Sequence, residues 1–213
     1  EMVVSRNYNY VQIAFEPFWE KPPLFIWIQA IFVNLFGDRT WVYRLPNAVS
    51  GIITVNIAYH IGSYLGRRTL GVFWAITVAL TFAPLIYYKS GIIDPVFNLL
   101  ILLSLWHWYR ITRCDIEGHR PHGHYLLSGV FIGLAILTKG QTALIIVGGV
   151  ALTMTAFRGR WQDIFSLRLF ILLGAMLLVV GAWVYPLYQN LGPKFFESFI
   201  SYQLELVKGQ IAW

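Results

Sequence analysis

The sequence predicts an all-α polytopic membrane protein, and three observations carry that reading: composition, the length of the apolar runs, and the clustering of charge between them. Of 213 residues, 57% are hydrophobic and 12% are charged, whereas soluble domains carry about 25% charged residues. Between Pro46 and Tyr185 the charges fall in short groups. Most of the runs separating them approach the ~20 residues that a helix needs to cross a hydrocarbon core of about 30 Å. Helix is the economical form for such runs, because in lipid each backbone N–H and C=O must be satisfied within the segment. A water-soluble globular domain is excluded.

Taken in order, residues 1–45 read as an outer-face juxtamembrane segment. Within it Leu24 to Phe36 is apolar and aromatic but too short to span, and it is interrupted by Gln29 and Asn34. It is expected to be an interfacial helix, with Pro22 and Pro23 at its first turn and Gly37 stopping it. Residues 46–186 are expected to form a six-span bundle: Pro46 to Leu65, Leu70 to Tyr88, Ile92 to Tyr109, Tyr125 to Thr138, Gln141 to Phe157 and Leu167 to Pro186. The fourth is short and needs its flanks to cross. Residues 187–213 form a second outer-face segment, in which Lys194 to Lys208 alternates Phe195, Phe196, Phe199, Tyr202 and Leu206 with polar residues at helical spacing.

Loop charge sets the orientation. Arg67, Arg68, Arg110, Arg113, Arg120, Arg158, Arg160 and Arg168 crowd into short loops on one side, which is therefore expected to be cytoplasmic. The other side spreads its cations thinly and holds most of the acids, among them Glu1, Glu16, Glu20, Asp38 and Asp94. The net charge of +6 thus reflects topology and not a nucleic-acid partner. A single cysteine, Cys114, rules out a disulfide framework within these residues. No cleavable signal peptide follows Glu1, and the chain is expected to begin inside a longer protein.

The residues able to carry chemistry gather on the outer side. Glu20-Lys21-Pro22-Pro23 places an acid and a base at the mouth of the interfacial helix, where the prolines restrict the backbone. Lys21 either snorkels to lipid headgroups or grips a phosphate at that depth. Asp94-Pro95 opens the third span with an aspartate able to cap the helix and a proline at its first position. The functional alternative is a carboxylate that orients a sugar hydroxyl or sits near a cation. Lys89 either pairs with Asp94 or binds an anion. Lys139-Gly140 makes a hairpin tip between the fourth and fifth spans, where a lysine is costly unless it reaches water or a partner. Arg44-Leu45-Pro46 anchors the first span. His119, His122 and His124, with Asp115 and Glu117, read as a solvated inner loop and not a metal site, and His60 and His107 as packing residues.

The order of these features carries more than any one of them. Glu20-Lys21-Pro22-Pro23 before a short aromatic helix, Gly37, Arg44-Leu45-Pro46, Gly66-Arg67-Arg68, Ser90-Gly91-Ile92-Ile93-Asp94-Pro95 and Leu137-Thr138-Lys139-Gly140 follow in series. The series resembles the protein O-mannosyltransferase-like superfamily, closest to its bacterial aminoarabinose transferases that modify lipid A. It runs from Glu1 to about Ile200. The resemblance implies a GT-C-type helix bundle and a glycosyltransferase using a polyprenyl-phosphate-linked sugar. The acceptor would be a lipid, glycan or protein on the periplasmic face of a bacterial inner membrane.

By the same resemblance Lys21 contacts the carrier phosphate, Glu20 stands near a divalent metal, and Asp94, as a supporting residue, completes an outer-face cavity with Lys139; Lys139, Lys89 and Arg44 are the further cations expected to bind substrate phosphate. In that family an acidic pair precedes the part matching Glu1-Met2-Val3-Val4. The catalytic acid is therefore expected upstream of Glu1, and the chain is expected to be an internal fragment. Past Phe199 it reads Tyr202-Gln203-Leu204-Glu205-Leu206, where those transferases often show a His and an Arg. Two other classes are compatible with the residues alone, a secondary transporter and a noncatalytic membrane scaffold. Against a transporter, no span centre carries an acid or base and the two halves show no symmetry.

Overall fold

The computed structural model describes residues 1–18, 21–116, 121–159, 161, 166–192 and 201. The surface helix expected over Lys194 to Lys208 falls, but for Ser201, outside them. The described chain is predominantly helical. A short helix α1 (Met2–Ser5) leads into a hairpin of β1 (Gln12–Ile13) and β2 (Glu16–Pro17), paired antiparallel with Gln12 opposite Pro17. Then come α2 (Leu24–Phe36), a 3-10 turn (Val42–Arg44), α3 (Leu45–Leu65), α4 (Arg68–Leu80), α5 (Phe82–Tyr88), α6 (Asp94–Ile116), α7 (His122–Lys139), α8 (Thr142–Arg158) and α9 (Leu169–Leu191).

Each expected apolar stretch is helical, and the departures have local causes. The stretch Leu70 to Tyr88 is two helices bent by 65°. Pro84 has no N–H to give the carbonyl of Leu80 and its ring crowds that carbonyl. The chain breaks one residue after Leu80, where Thr81 turns extended at φ −67°, ψ 128°. The short fourth stretch gains its flanks and runs from His122 to Lys139. The last continues past Pro186 to Leu191. The hairpin was not expected, since Ala14-Phe15 carries no usual turn residue. Taken singly, α9 is long and apolar enough to cross a membrane, and the bent pair α4–α5 passes when counted together. Helix α3 has the length but carries Asn47, Ser50, Asn56 and His60 along it.

Packing explains the tolerance for those polar residues. Helix α7 lies between α6 and α9, and α3 packs along α4. The main core runs from Phe25 on α2 through Val96, Phe97, Trp108 and Ile111 on α6 to Tyr125, Ile132 and Ala135 on α7 and Leu172 on α9. Ser104 and Ser128, both buried, face each other across α6 and α7 with hydroxyls 3.2 Å apart. Thr138, Thr155 and Ser50 return their hydroxyls to their own helix carbonyls, which satisfies a buried donor without a partner helix.

Two helix pairs approach closely enough to require glycine. A Cβ on Gly62 of α3 would lie 2.8 Å from the Cα of Gly71 on α4. A Cβ on Gly129 of α7 would collide with the backbone carbonyl of Leu172 on α9. This is the small-residue packing that lets membrane helices gain dispersion contact in the absence of a hydrophobic drive between them. Gly129→Val is therefore expected to force α7 off α9, at a cost of about 1–3 kcal/mol, read as a lower melting temperature in detergent. Gly148→Ala is the control. Nothing lies within 4 Å of its added methyl, so its melting temperature should hold or rise slightly.

Candidate functional site: a cavity beside an ion pair

One end of the bundle collects the start of α3, the end of α5, the start of α6, the end of α7 and the whole of α2. The Ser90–Ile93 segment ahead of α6 is held from two directions. Asn47, fully buried on the first turn of α3, donates its amide to the carbonyls of Ser90 at 2.8 Å and Ile92 at 2.7 Å. Gln29 on α2 donates to the carbonyl of Tyr43 at 3.0 Å and reaches that of Gly91 at 3.4 Å. The indole of Trp27 on α2 donates to the carbonyl of Tyr8 at 2.7 Å. Helix α2 is thereby fastened to the hairpin segment on one side and to the α5–α6 connection on the other. Beside it, the Tyr43 hydroxyl donates to Asp38 at 2.8 Å. That bond, followed by burial and the carboxylate's charge, raises the phenol above its ordinary pKa.

Asp94 then opens α6, and Lys139 closes α7. Their side chains meet at 2.6 Å across the two helices, each about a third exposed, at 34% and 33%. The ammonium also lies 5.5 Å from the centroid of Phe97, one turn along α6. Acid at a helix N-terminus and base at a C-terminus both suit the helix dipoles, so the pair is favoured twice over. Gly140 then turns the chain with φ 67°. The sequence offered Lys89 as the partner of Asp94; the structure instead pairs Asp94 with Lys139, because α6 and α7 run side by side.

A cavity of about 570 Å³ opens against this pair. Asp94, Gly91, Ile92 and Ile93 form one wall, Lys21, Pro22, Phe25 and Ile26 another, and Glu1, Met2, Val11 and Gln12 a third. Lys21 and Asp94 thus line one space, and Lys139 reaches it through Asp94. Lys89 lies elsewhere: it caps α5 and lines a separate cavity of about 390 Å³ with Ala48, Gly51, Val55 and Tyr88. Arg44 is exposed at the start of α3 and lines neither. Glu20 lies outside the described residues. Among those described, no group of three His, Cys, Asp or Glu side chains is placed to hold a metal ion.

The opposite end is built from arginine and aromatic rings. The Arg110 guanidinium sits 4.4 Å from the centroid of Tyr64, and Arg158 donates to the Thr112 hydroxyl at 2.7 Å and lies 5.2 Å from the ring of Tyr109. His107 and His124 share a hydrogen bond between their Nδ1 atoms at 2.9 Å, with His107 stacked on Phe131. Such contacts give cations and imidazoles ring faces as partners. His107, read as a packing residue, does pack, and it brings His124 with it.

Sequence reasoning did not single out Asn47, and it noted Gln29 only as an interruption. Both are amides at the apolar edge of a helix, and that placement was the available signal. A buried amide there needs carbonyl partners.

Residues 20–185 match the family described as dolichyl-phosphate-mannose-protein mannosyltransferase. Among curated proteins the chain is 27% identical over 185 residues to undecaprenyl phosphate-alpha-4-amino-4-deoxy-L-arabinose arabinosyl transferase 1 of Proteus mirabilis, across 86% of this chain and 33% of that protein. It is 30% identical over 167 residues to the corresponding transferase of Pseudomonas aeruginosa, across 76% of this chain and 29% of that protein. The fold is similar to the crystal structure of ArnT from Cupriavidus metallidurans bound to undecaprenyl phosphate, with a TM-score of 0.81 at 21% identity over 96% of this chain and 38% of that one. The apo form of the same protein gives a TM-score of 0.80 at 20% identity. The chain spans about a third of the length of these relatives. With the family matched over most of its length, this chain belongs to the dolichyl-phosphate-mannose-protein mannosyltransferase family of membrane proteins.

Proposed function

We propose that the full-length protein is an integral membrane glycosyltransferase. It moves a sugar from a polyprenyl-phosphate carrier to a lipid, glycan or protein acceptor at the periplasmic face of a bacterial inner membrane. One observation carries the reading: Lys21 and Asp94 line a single cavity beside an interfacial helix, at the end of the bundle opposite the arginine-rich loops. A soluble substrate would not need its cation beside an interfacial helix. A carrier whose chain stays in lipid does, because its phosphate cannot leave headgroup depth. In this reading the six helical stretches from α3 to α9, with α4 and α5 as one bent crossing, span the bilayer. Residues 1–45 and 187–213 lie on the outer face.

The chemistry follows from charge. The acceptor hydroxyl attacks the anomeric carbon, the bond from that carbon to the phosphate oxygen breaks, and the carrier phosphate leaves with that electron pair. Lys21 supplies a fixed positive charge for the leaving phosphate, with little reorganisation in a partly dehydrated site. Lys139 acts one step back. By holding Asp94 in an ion pair it removes the repulsion that an open carboxylate would exert on the incoming phosphate. Asp94, already engaged by Lys139, is a supporting residue, and the acceptor's proton goes to a carboxylate outside this chain, in the part preceding Glu1. Lys89 and Arg44 serve as outer contacts for anionic groups at the same depth.

The relatives' names and the undecaprenyl phosphate in the solved neighbour support this donor class. A transporter would instead need ionisable groups along its spans, and the titratable residues described here gather at the two ends. In the full-length protein, Lys21→Ala is expected to lower transfer from a polyprenyl-phosphate sugar by about 10²–10³-fold, the usual loss on removing one transition-state donor. Lys89→Ala, in the separate cavity, should change it by less than about threefold, on the order of a surface charge. The reverse ranking would move the carrier phosphate to the α3–α5 cavity.

The ion pair gives a second expectation. Lys139→Ala should raise the donor KM, because it bares the Asp94 carboxylate. The double variant with Asp94→Asn should lie closer to wild type than Lys139→Ala alone. A double variant worse than either single one would place both side chains on the substrate.

A further inference from the structure

The third wall of the cavity carries a backbone conformation that its own sequence does not favour. The hairpin register pairs Gln12 with Pro17 and Ile13 with Glu16. That leaves a two-residue turn of Ala14 and Phe15, with φ 53° and 63°. Positive φ at both central positions is the requirement of a type I′ turn, which Asn-Gly meets readily and Ala-Phe does not. Something outside the turn must hold it, and the Glu1 carboxylate is in place to do so. One of its oxygens accepts the N–H of Ala14 at 3.1 Å and the other that of Phe15 at 3.3 Å. Successive N–H groups in left-handed backbone form a concavity that receives an anion, and here the anion is a side chain of the same protein.

The base of the hairpin is fastened independently. Phe18 donates its N–H to the carbonyl of Val11 at 2.8 Å, Ser5 its hydroxyl to the Gln12 side-chain oxygen at 2.8 Å, and Trp183 on α9 its indole N–H to the carbonyl of Asn9 at 3.0 Å. With the base held, the tip depends on Glu1. Glu1, Val11, Gln12 and Ile13 then face the cavity that Lys21 and Asp94 also line.

We propose that Glu1 is a positioning residue: its carboxylate clamps the strained Ala14–Phe15 turn, and through it sets the hairpin wall of the carrier-phosphate cavity. The inference rests on reading that cavity as the carrier site. Glu1 touches neither sugar nor phosphate. Its carboxylate oxygens are engaged by backbone amides, so a turn that needs no clamp replaces it.

The test uses the full-length protein and a polyprenyl-phosphate sugar donor. Glu1→Ala is expected to raise the donor KM roughly tenfold, the scale of losing a charge-assisted hydrogen bond, with kcat within about twofold. The Ala14 and Phe15 amides should exchange hydrogen faster in that variant. Adding Ala14→Asn and Phe15→Gly to Glu1→Ala should return KM to within about twofold of wild type, because the new turn adopts positive φ unaided. A Glu1→Ala protein of unchanged melting temperature that the Asn-Gly turn fails to rescue overturns the proposal, since Glu1 would then act on the substrate directly. Unchanged amide exchange at Ala14 and Phe15 overturns it as well. A successful rescue beside a Lys21→Ala variant that transfers sugar at the wild-type rate would instead refute the carrier-site reading and leave the clamp standing, so the two failures are told apart.

Discussion

The ion pair between Asp94 and Lys139 is the constraint on which this end of the helix bundle depends. It joins the first residue of α6 to the last of α7 at 2.6 Å, in a position where water reaches only about a third of either side chain. A lone lysine or aspartate at that depth would carry a desolvation cost with nothing to offset it. Together they neutralise each other, align with two helix dipoles, and place Phe97 against the ammonium. Because α6 and α7 also share the buried Ser104–Ser128 contact further down, the pair sets where the helices end as well as how they cross.

From that point the rest of the cavity is a matter of attachment. The Ser90–Ile93 segment cannot drift while Asn47 holds two of its carbonyls and Gln29 a third. Helix α2 cannot lift while Gln29 and Trp27 anchor its two sides. Lys21, just ahead of that helix, is presented to the cavity by elements fixed on both flanks. The opposite end uses different means, with arginines set over tyrosine rings and paired with hydroxyls. The two ends thus differ in chemistry: one offers a cavity lined by a cation, the other arginines packed against aromatic rings.

Much of this was legible in the sequence because lipid removes alternatives. The stretch Leu24–Phe36 had to be helical once it was apolar and flanked by Pro23 and Gly37, and it has those bounds. The first span begins one residue earlier than its pattern suggested, at Leu45. The break at Thr81 followed from Pro84, a local signal whose effect on a long apolar run is hard to grade beforehand. What could not be read was tertiary pairing. Asp94 had Lys89 close by in sequence and Lys139 far away, and the distant partner won because α6 and α7 run side by side. The hairpin was hidden for a related reason. Ala14-Phe15 is no turn sequence by itself, and it becomes one only with Glu1 brought to it by the fold.

The proposed seat of the lipid-borne carrier's phosphate is the cavity with Lys21 on one wall and Asp94, held by Lys139, on another. The most direct measurement is a structure of the full-length protein in lipid with a polyprenyl phosphate bound. The account predicts a phosphate oxygen within ion-pair reach of the Lys21 ammonium, roughly 4 Å or less, and an intact Asp94–Lys139 contact beside it. A phosphate seated instead in the α3–α5 cavity near Lys89, or at the arginine-rich end, would contradict it.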